Sequence, residues 1–212
     1  MKNEKMKYIL SFSGGKDSTA MLFRLIELNY QIDEIIFADT GFEFPEIYEH
    51  IDQVEKVIGR SIIKLKTNIL FHDWASGKIT RGKNKGMIRG LPLKYYPCWW
   101  SRESKFKVLD QYIGHNNRYI GIAYDEQKRI RDHKGYIYPL NDLKMSENDC
   151  IIYLKSINQL KPIHTKFKHT GCYWCPKQSQ RSLDLLEKDY PDLYKKRCEL
   201  FKKYNYEKGK DK

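Results

Sequence analysis

The nine residues Ser11-Phe12-Ser13-Gly14-Gly15-Lys16-Asp17-Ser18-Thr19 constrain this chain more than any other stretch. The apolar run Tyr8-Ile9-Leu10 precedes them and Ala20-Met21-Leu22-Phe23-Arg24-Leu25-Ile26 follows with helical spacing, so the segment reads as strand, glycine turn, helix. Two adjacent glycines permit positive φ and a close approach of backbone to a ligand. The helix behind them aims its first N–H groups and the positive end of its dipole at the turn. Ser13, Ser18 and Thr19 add hydroxyl donors and Lys16 adds a charge, a set suited to an anion of pyrophosphate size. A turn that merely joins strand to helix would use the same residues. The spacing fits neither the Walker loop nor the Gly-x-Gly-x-x-Gly dinucleotide fingerprint.

Ser13 to Ser18 instead resembles the PP-loop, Ser-Gly-Gly-x-Asp-Ser, of the adenine nucleotide alpha hydrolase superfamily. The resemblance implies an adenine nucleotide held by Ser11, Ser13, Gly14, Gly15, Lys16, Asp17, Ser18 and Thr19, with chemistry at the α-phosphate. Lys16 and Asp17 would be the catalytic pair, Lys16 stabilising phosphate charge and Asp17 helping to hold Mg²⁺.

In chain order, Lys7 to Phe12 is the first expected strand and Ser18 to Asn29 the first helix. Ile32 to Ala38 is a second strand, apolar enough at its end to be buried in a parallel sheet. A β-α-β unit of this kind predicts a doubly wound, mostly parallel α/β sheet that binds ligands at the strand ends. At that edge lies Asp39-Thr40-Gly41-Phe42-Glu43-Phe44-Pro45-Glu46, followed by a helix to Ile58. The Asp-Thr-Gly-x-x-Phe-Pro-Glu pattern resembles the phosphoadenosine phosphosulfate (PAPS) reductase group. Asp39 or Thr40 can meet a ribose or adenine, and Gly41 permits close backbone approach; a capped turn is the plainer use of the same residues. Ser61 to Lys66 is a third strand and Ile69 to Ala75 a short helix.

From Ser76 to Gly90 the chain carries Lys78, Arg81, Lys83, Lys85 and Arg89 among four glycines, which no core can bury. A flexible basic lid over a phosphorylated substrate and a solvated surface loop are both open readings. A helix is expected over Ser101 to Tyr112 with Ser101 as its cap, then a fourth strand, Arg118 to Ile122. The following loop resembles the family's Gly-Ile-Arg-x-x-Glu-Ser-x-x-Arg through Gly121, Glu126 and Arg129, with Arg129 one place short and Ala123 where the first arginine would grip a phosphate or sulfate. Ser146-Glu147-Asn148-Asp149 opens a further helix with carboxylates in its first turn. The Pro139-Leu140 pair before it is also family-like, with Leu143 in place of the usual tryptophan.

Five cysteines in a chain without a signal peptide suggest metal or redox chemistry rather than disulfides. Cys98, the Gly171-Cys172-Tyr173-Trp174-Cys175 loop and Cys198 offer four thiols, a possible ligand set for a [4Fe–4S] cluster or for zinc. Their placement resembles DndC-type proteins, and on that resemblance iron–sulfur stands ahead of zinc. His164 and His169 lie near enough in sequence to replace one thiol. Cys150 sits in an apolar helical stretch and reads as core. The sulfonucleotide reductases attack sulfur with a cysteine in a terminal Glu-Cys-Gly-x-His segment. Nothing after Cys198 supplies a cysteine or histidine.

At 212 residues and 41% hydrophobic content the chain suits a folded domain with a small appendage: a nucleotide-binding domain over 1–160, a cysteine-bearing helical segment over 161–204 and a disordered tail over 205–212. No apolar run could span a membrane, and a cytoplasmic protein is expected. The formal charge of +12 points to a polyanionic partner, nucleic acid included. Together these features lead to an expected adenylylating sulfurtransferase-like enzyme using ATP and Mg²⁺, fed by a cysteine desulfurase or another sulfur donor. Reduction of PAPS or adenosine phosphosulfate (APS) and ATP binding without turnover are the alternatives.

Overall fold

A computed structural model describes residues 5–204. The expected tail at 205–212 lies outside them. The chain divides into two compact units, each assembled from separated segments. The first takes the described residues up to Ala38, Pro45–Leu65 and Val108–Thr170; the second takes Asp39–Phe44, Lys66–Lys107 and the described residues from Gly171. No single boundary falls near residue 160. The cysteine loop after Gly171 belongs with two earlier stretches, because its aromatic side chains need those stretches to form a core.

The first unit is built on a five-stranded sheet of order β3-β2-β1-β4-β5, with strands β1 (Tyr8–Phe12), β2 (Glu34–Asp39), β3 (Ile63–Lys66), β4 (Asn117–Ile120) and β5 (Tyr136–Ile137). β1 pairs in parallel with β2, Phe12 opposite Phe37, and with β4, Ser11 opposite Ile120; β4 pairs in parallel with β5. This is the doubly wound α/β sheet the β-α-β reading called for. After β3 the chain crosses to the other side of β1, so β1 and β4 flank a topological switch point, where such sheets bind ligands.

Alternation along the strands feeds both faces. Ile9 and Ile36 pack with Leu109 and Ile113 of helix α5 (Lys107–Ile113). Leu10, Ile35 and Phe37 are equally buried. Helix α1 (Lys16–Glu27) buries Ala20, Met21, Leu22 and Leu25 and packs on α7 (Glu147–Ser156), whose capping box joins Ser146 and Asp149 as the Ser-x-x-Asp pattern requires. Helix α2 (Pro45–Ile58) starts at its proline and buries Ile47, His50, Ile51 and Val54. Cys150 is fully buried in α7, as its apolar neighbours imply.

The second unit has an aromatic core: Phe71, Ala75, Leu91, Trp100, Trp174 and Leu200, with Phe42, Trp99 and Tyr173 packed against it. Its helices are α3 (Phe71–Ser76), α4 (Trp99–Ser101), which continues through a π-turn over Arg102–Phe106, α9 (Gln180–Asp189) and α10 (Pro191–Lys203). The expected cap at Ser101 is displaced by three residues: Cys98 caps the helix, its Sγ accepting from the Ser101 N–H at 3.3 Å. The basic loop is a small hairpin, with a Lys78–Ile88 bridge and Ile79 N–H donating to the Met87 carbonyl at 2.8 Å. No helix among the described residues is long and apolar enough to cross a membrane.

Candidate functional site

In the first unit the glycine turn sits between β1 and α1 at the switch point. Gly14 has φ +72°, and a Cβ there would lie 2.8 Å from Cγ2 of buried Ile47, so only glycine fits without displacing the core. Gly15 stands at the N-cap of α1 and supplies no side-chain cap. The first turn of the helix therefore presents N–H groups without intrahelical acceptors to the mouth of the loop. Ser18 Oγ donates to the Gly15 carbonyl at 3.0 Å and accepts from Ser13 N–H at 3.1 Å, which folds the turn around the helix start. The Ser11 hydroxyl accepts from Arg118 Nε at 2.8 Å.

Lys16 Nζ lies 3.0 Å from both an Asp17 and a Glu147 carboxylate oxygen. Burial pushes the lysine pKa down, but the two carboxylates outweigh it and hold the ammonium charged. Burial raises the Asp17 carboxyl, opposed by Lys16. Asp17, Glu126 and Glu147 bring one carboxylate oxygen each within 4.8 Å of one another, the only convergent group of potential metal ligands among the described residues. Glu126 lies in the 3-10 turn Tyr124–Arg129 after β4 and is ion-paired with Arg129. Gly121, just before that turn, lets β4 approach α1: a Cβ there would lie 3.0 Å from Ser18 Cα. Glu147, read from sequence only as part of a helix opening, becomes a site residue because α7 packs on α1.

Beneath the loop lie two buried histidines. His164, in α8 (Pro162–Lys166), donates from Nε2 to the Gly14 carbonyl at 3.0 Å and accepts at Nδ1 from Lys161 N–H. It is a brace for the loop, and the thiol-replacing role open to it in the sequence is gone. Thr19 Oγ1 donates to the Gly15 carbonyl at 2.9 Å and lies 3.0 Å from His50 Nε2, whose ring meets His164 edge-on. Burial, with His164 and Lys161 nearby, pushes His50 down to about 3. Both loop carbonyls are thereby held inward. No spacing rule links residues 14, 50 and 164, so sequence reasoning had no signal for this brace.

In the second unit the Asp39–Phe44 motif serves the cysteine loop. The Asp39 carboxylate accepts from Gly41 N–H at 2.8 Å and pairs with Lys66 at 3.0 Å. Thr40 Oγ1 donates to Glu43 at 2.8 Å and lies 3.4 Å from Cys172 Sγ, while the Phe42 carbonyl accepts from Tyr173 N–H. Burial raises the Cys172 thiol strongly, and Glu43, Cys175 and Cys98 act on it in the same direction. Burial also raises Cys175, with Cys98 adding to it. Cys98, Cys172 and Cys175 thus form one neighbourhood. Cys198 is exposed on α10 and interacts with Tyr194. All five cysteines are free thiols. The three neighbouring sulfurs do not converge as the ligands of one ion do in zinc sites, where Zn–S bonds of about 2.3 Å bring sulfurs to about 3.8 Å.

Comparison with known proteins agrees with this layout. Residues 7–85 match the family model of the phosphoadenosine phosphosulfate reductase domain. Two uncharacterized proteins of Methanocaldococcus jannaschii are 25% and 26% identical over 97% and 95% of this chain. The chain spans about half the length of these curated relatives, 50% and 43%. Among solved structures, the PAPS reductase of Candida auris in a phosphate complex superposes with a TM-score of 0.55 at 14% identity, covering 80% of this chain and 82% of that one. The U34-tRNA thiolase NcsA of Methanococcus maripaludis, with its [4Fe–4S] cluster, gives 0.50 at 17% identity, covering 99% of this chain and 76% of its own. The glycine loop, strands β1 to β3 and the Asp39–Glu46 motif all fall within the matched segment, and over residues 7–85 the chain is similar to the phosphoadenosine phosphosulfate reductase domain.

Proposed function

We propose that this protein is an ATP-dependent adenylylating enzyme that activates an oxygen of a nucleic-acid substrate for replacement by sulfur. The observation that carries the reading is the loop itself: inward-held carbonyls, an uncapped helix N-terminus and a charged Lys16 in one place. The loop amides and Lys16 would hold the ATP phosphates. The acceptor oxygen attacks the α-phosphorus, the bond to the bridging oxygen breaks, and pyrophosphate leaves. The charge developing on those oxygens falls at α1, where backbone N–H groups and Lys16 stabilise it without reorganising. A sulfur nucleophile then adds to the activated carbon and expels AMP.

The oxygen donors of Asp17, Glu126 and Glu147 suit Mg²⁺, which would neutralise phosphate charge. Cys98, Cys172 and Cys175 would hold an iron–sulfur cluster, put ahead of zinc because the similarly folded thiolase carries a [4Fe–4S] cluster. They share one half-buried neighbourhood, and Cys98 already takes a backbone N–H bond of the kind that suits a thiolate. Bound there, a cluster would carry or position sulfur. A sulfur donor such as a cysteine desulfurase would supply it.

Exchange of labelled pyrophosphate into ATP, with total RNA as acceptor, tests this reading. Exchange that disappears in Lys16→Ala supports it, whereas ATP binding with no exchange reduces the protein to a nucleotide-binding module. The family match and the exposed Cys198 thiol favour one second reading, reduction of PAPS or APS. Sulfite release with thioredoxin, lost in Cys198→Ser, would establish that reading in place of the first.

A further inference from the structure

Between Gly77 and Pro97 the chain carries six cations and no carboxylate, half of its formal charge of +12. Two excursions from one aromatic core make up this stretch. The first is the hairpin, closed at its base by Arg89 N–H to the Gly77 carbonyl and Gly90 N–H to the Ala75 carbonyl. Gly82 and Gly86, at φ +81° and +88°, turn its tip, which carries Lys83 and Lys85. Arg89 is taken up by the core: its guanidinium lies 4.6 Å from the Trp74 ring centre, and Nε donates to the Trp74 carbonyl.

The second excursion leaves from buried Leu91 and returns at Cys98–Trp99, which pack on the same core. It exposes Tyr95 at 70% and Tyr96 at 57%, with Lys94 lying 5.4 Å from the Tyr95 ring centre. Among the described residues none of the other five cations forms an ion pair. Two adjacent tyrosines held out to solvent next to cations lose apolar contact for nothing in the fold. Leu91 to Tyr95 can span at most about 14 Å, which keeps the rings near the hairpin base.

From this we infer that residues 78–96 form a docking surface for single-stranded nucleic acid, in which Lys78, Arg81, Lys83, Lys85 and Lys94 meet phosphates and Tyr95 and Tyr96 stack on unpaired bases. Charge alone would accept a duplex as readily. The paired tyrosines favour a strand whose base faces are free, since stacking on an exposed ring needs an unstacked base. The inference deepens the proposal that the acceptor is a nucleic acid and rests on it for its biological sense.

The test uses the full chain and fluorescence anisotropy with labelled oligouridylate, the matching single-stranded DNA and a duplex, over a series of salt concentrations. Single strands should bind more tightly than duplex. The double variant Lys83→Gln/Lys85→Gln should flatten the plot of log affinity against log salt by about 1.4, roughly 0.7 per phosphate contact. Tyr95→Ala and Tyr96→Ala should leave that slope as it is and weaken single-strand binding by roughly fivefold or more each. Binding to RNA alone, or to RNA and DNA alike, meets the inference and identifies the polymer. Tighter duplex binding, or tyrosine variants that bind like the parent, overturns it. All four side chains are exposed or carried on a surface hairpin, so an unchanged melting temperature separates binding from folding. Pyrophosphate exchange measured on the same variants keeps the two proposals apart: polymer binding without exchange removes the catalytic reading, and exchange without polymer binding removes this one.

Discussion

His164 Nε2 lies 3.0 Å from the carbonyl oxygen of Gly14, 150 residues earlier in the chain, and donates to it while its Nδ1 accepts from Lys161 N–H. A histidine using both nitrogens in this way is neutral, and it fixes which way the Gly14 peptide faces. Replacing it with alanine leaves a buried carbonyl without its donor, a loss of about 1–3 kcal/mol. His164→Ala should lower the urea midpoint and weaken ATP binding together, and His164→Gln, which retains a donor, should recover part of both. ATP affinity measured by calorimetry at equal folded fraction separates the two effects.

His50 supplies the pH dependence. Its folded value of about 3 lies below the ordinary value of 6.5, so the unfolded chain binds a proton that the folded chain refuses. Stability contributed by the neutral ring is complete above pH 6.5 and falls as the pH drops toward 3, by up to about 1.4 kcal/mol per pH unit. Urea midpoints from pH 7 to 4 should therefore fall more steeply for the parent than for His50→Gln, in which no ring titrates. Parallel curves would show that His50 takes up its proton as readily in the fold as in the unfolded chain.

Gly14 and Gly41 differ in what surrounds them. Both have positive φ, +72° and +76°, yet a Cβ at Gly41 meets nothing within 4 Å, while one at Gly14 strikes Ile47. Gly41→Ala should cost the backbone term alone, about 1–2 kcal/mol. Gly14→Ala adds overpacking of about 1–3 kcal/mol and should abolish ATP binding. Thermal melts of the two variants, with and without ATP, check the ranking.

Lys16 is held between Asp17 and Glu147 at the start of α1. Lys16→Gln should reduce pyrophosphate exchange by about 10²-fold, the loss typical of removing one donor to a developing oxyanion. Glu147→Gln leaves Lys16 paired to Asp17 and should cost less. Equal losses in the two variants would mean that the ion pairs, rather than the lysine charge, serve the reaction.

The thiols divide three and one. After anaerobic reconstitution with iron and sulfide, Cys98→Ala, Cys172→Ala and Cys175→Ala should each lose the visible cluster absorption and most bound iron, and Cys198→Ala should keep both. A parent protein that takes up no iron, or a Cys198 variant that fails like the others, contradicts the three-thiol neighbourhood.

Much of the site was legible before folding because it is local. Ser13 to Thr19 must turn from strand to helix, and Gly14 states its left-handed backbone geometry in its own identity, while Gly15 takes an extended φ of −82° that other residues adopt as well; Ser146 and Asp149 likewise announce a helix start within four residues. Periodicity located β1, α1, β2 and α2 to within two residues and gave the parallel sheet, since burial on both strand faces leaves an almost unbroken apolar run. The cap at Cys98 was missed because cysteine is a rare N-cap and Ser101 a common one. The hairpin at 77–90 was hidden because its register is held by backbone bonds that no side chain announces.

What the sequence by itself determined is the loop, the order of strands and helices along the chain, and the chemical types available at each: backbone amides and Lys16 at the glycine turn, thiols at 98, 172, 175 and 198. Tertiary structure alone decided which distant residues complete them. It set Glu147 beside Lys16, turned His164 from a ligand candidate into a brace for Gly14, and grouped Cys98 with Cys172 and Cys175 while leaving Cys198 in solvent. It also gave the Asp39–Phe44 motif to the cysteine unit. The physical reason is range: φ preferences, caps and periodicity act over a few residues, whereas packing of α7 on α1 and of the aromatic core around Phe42 joins residues more than 100 positions apart.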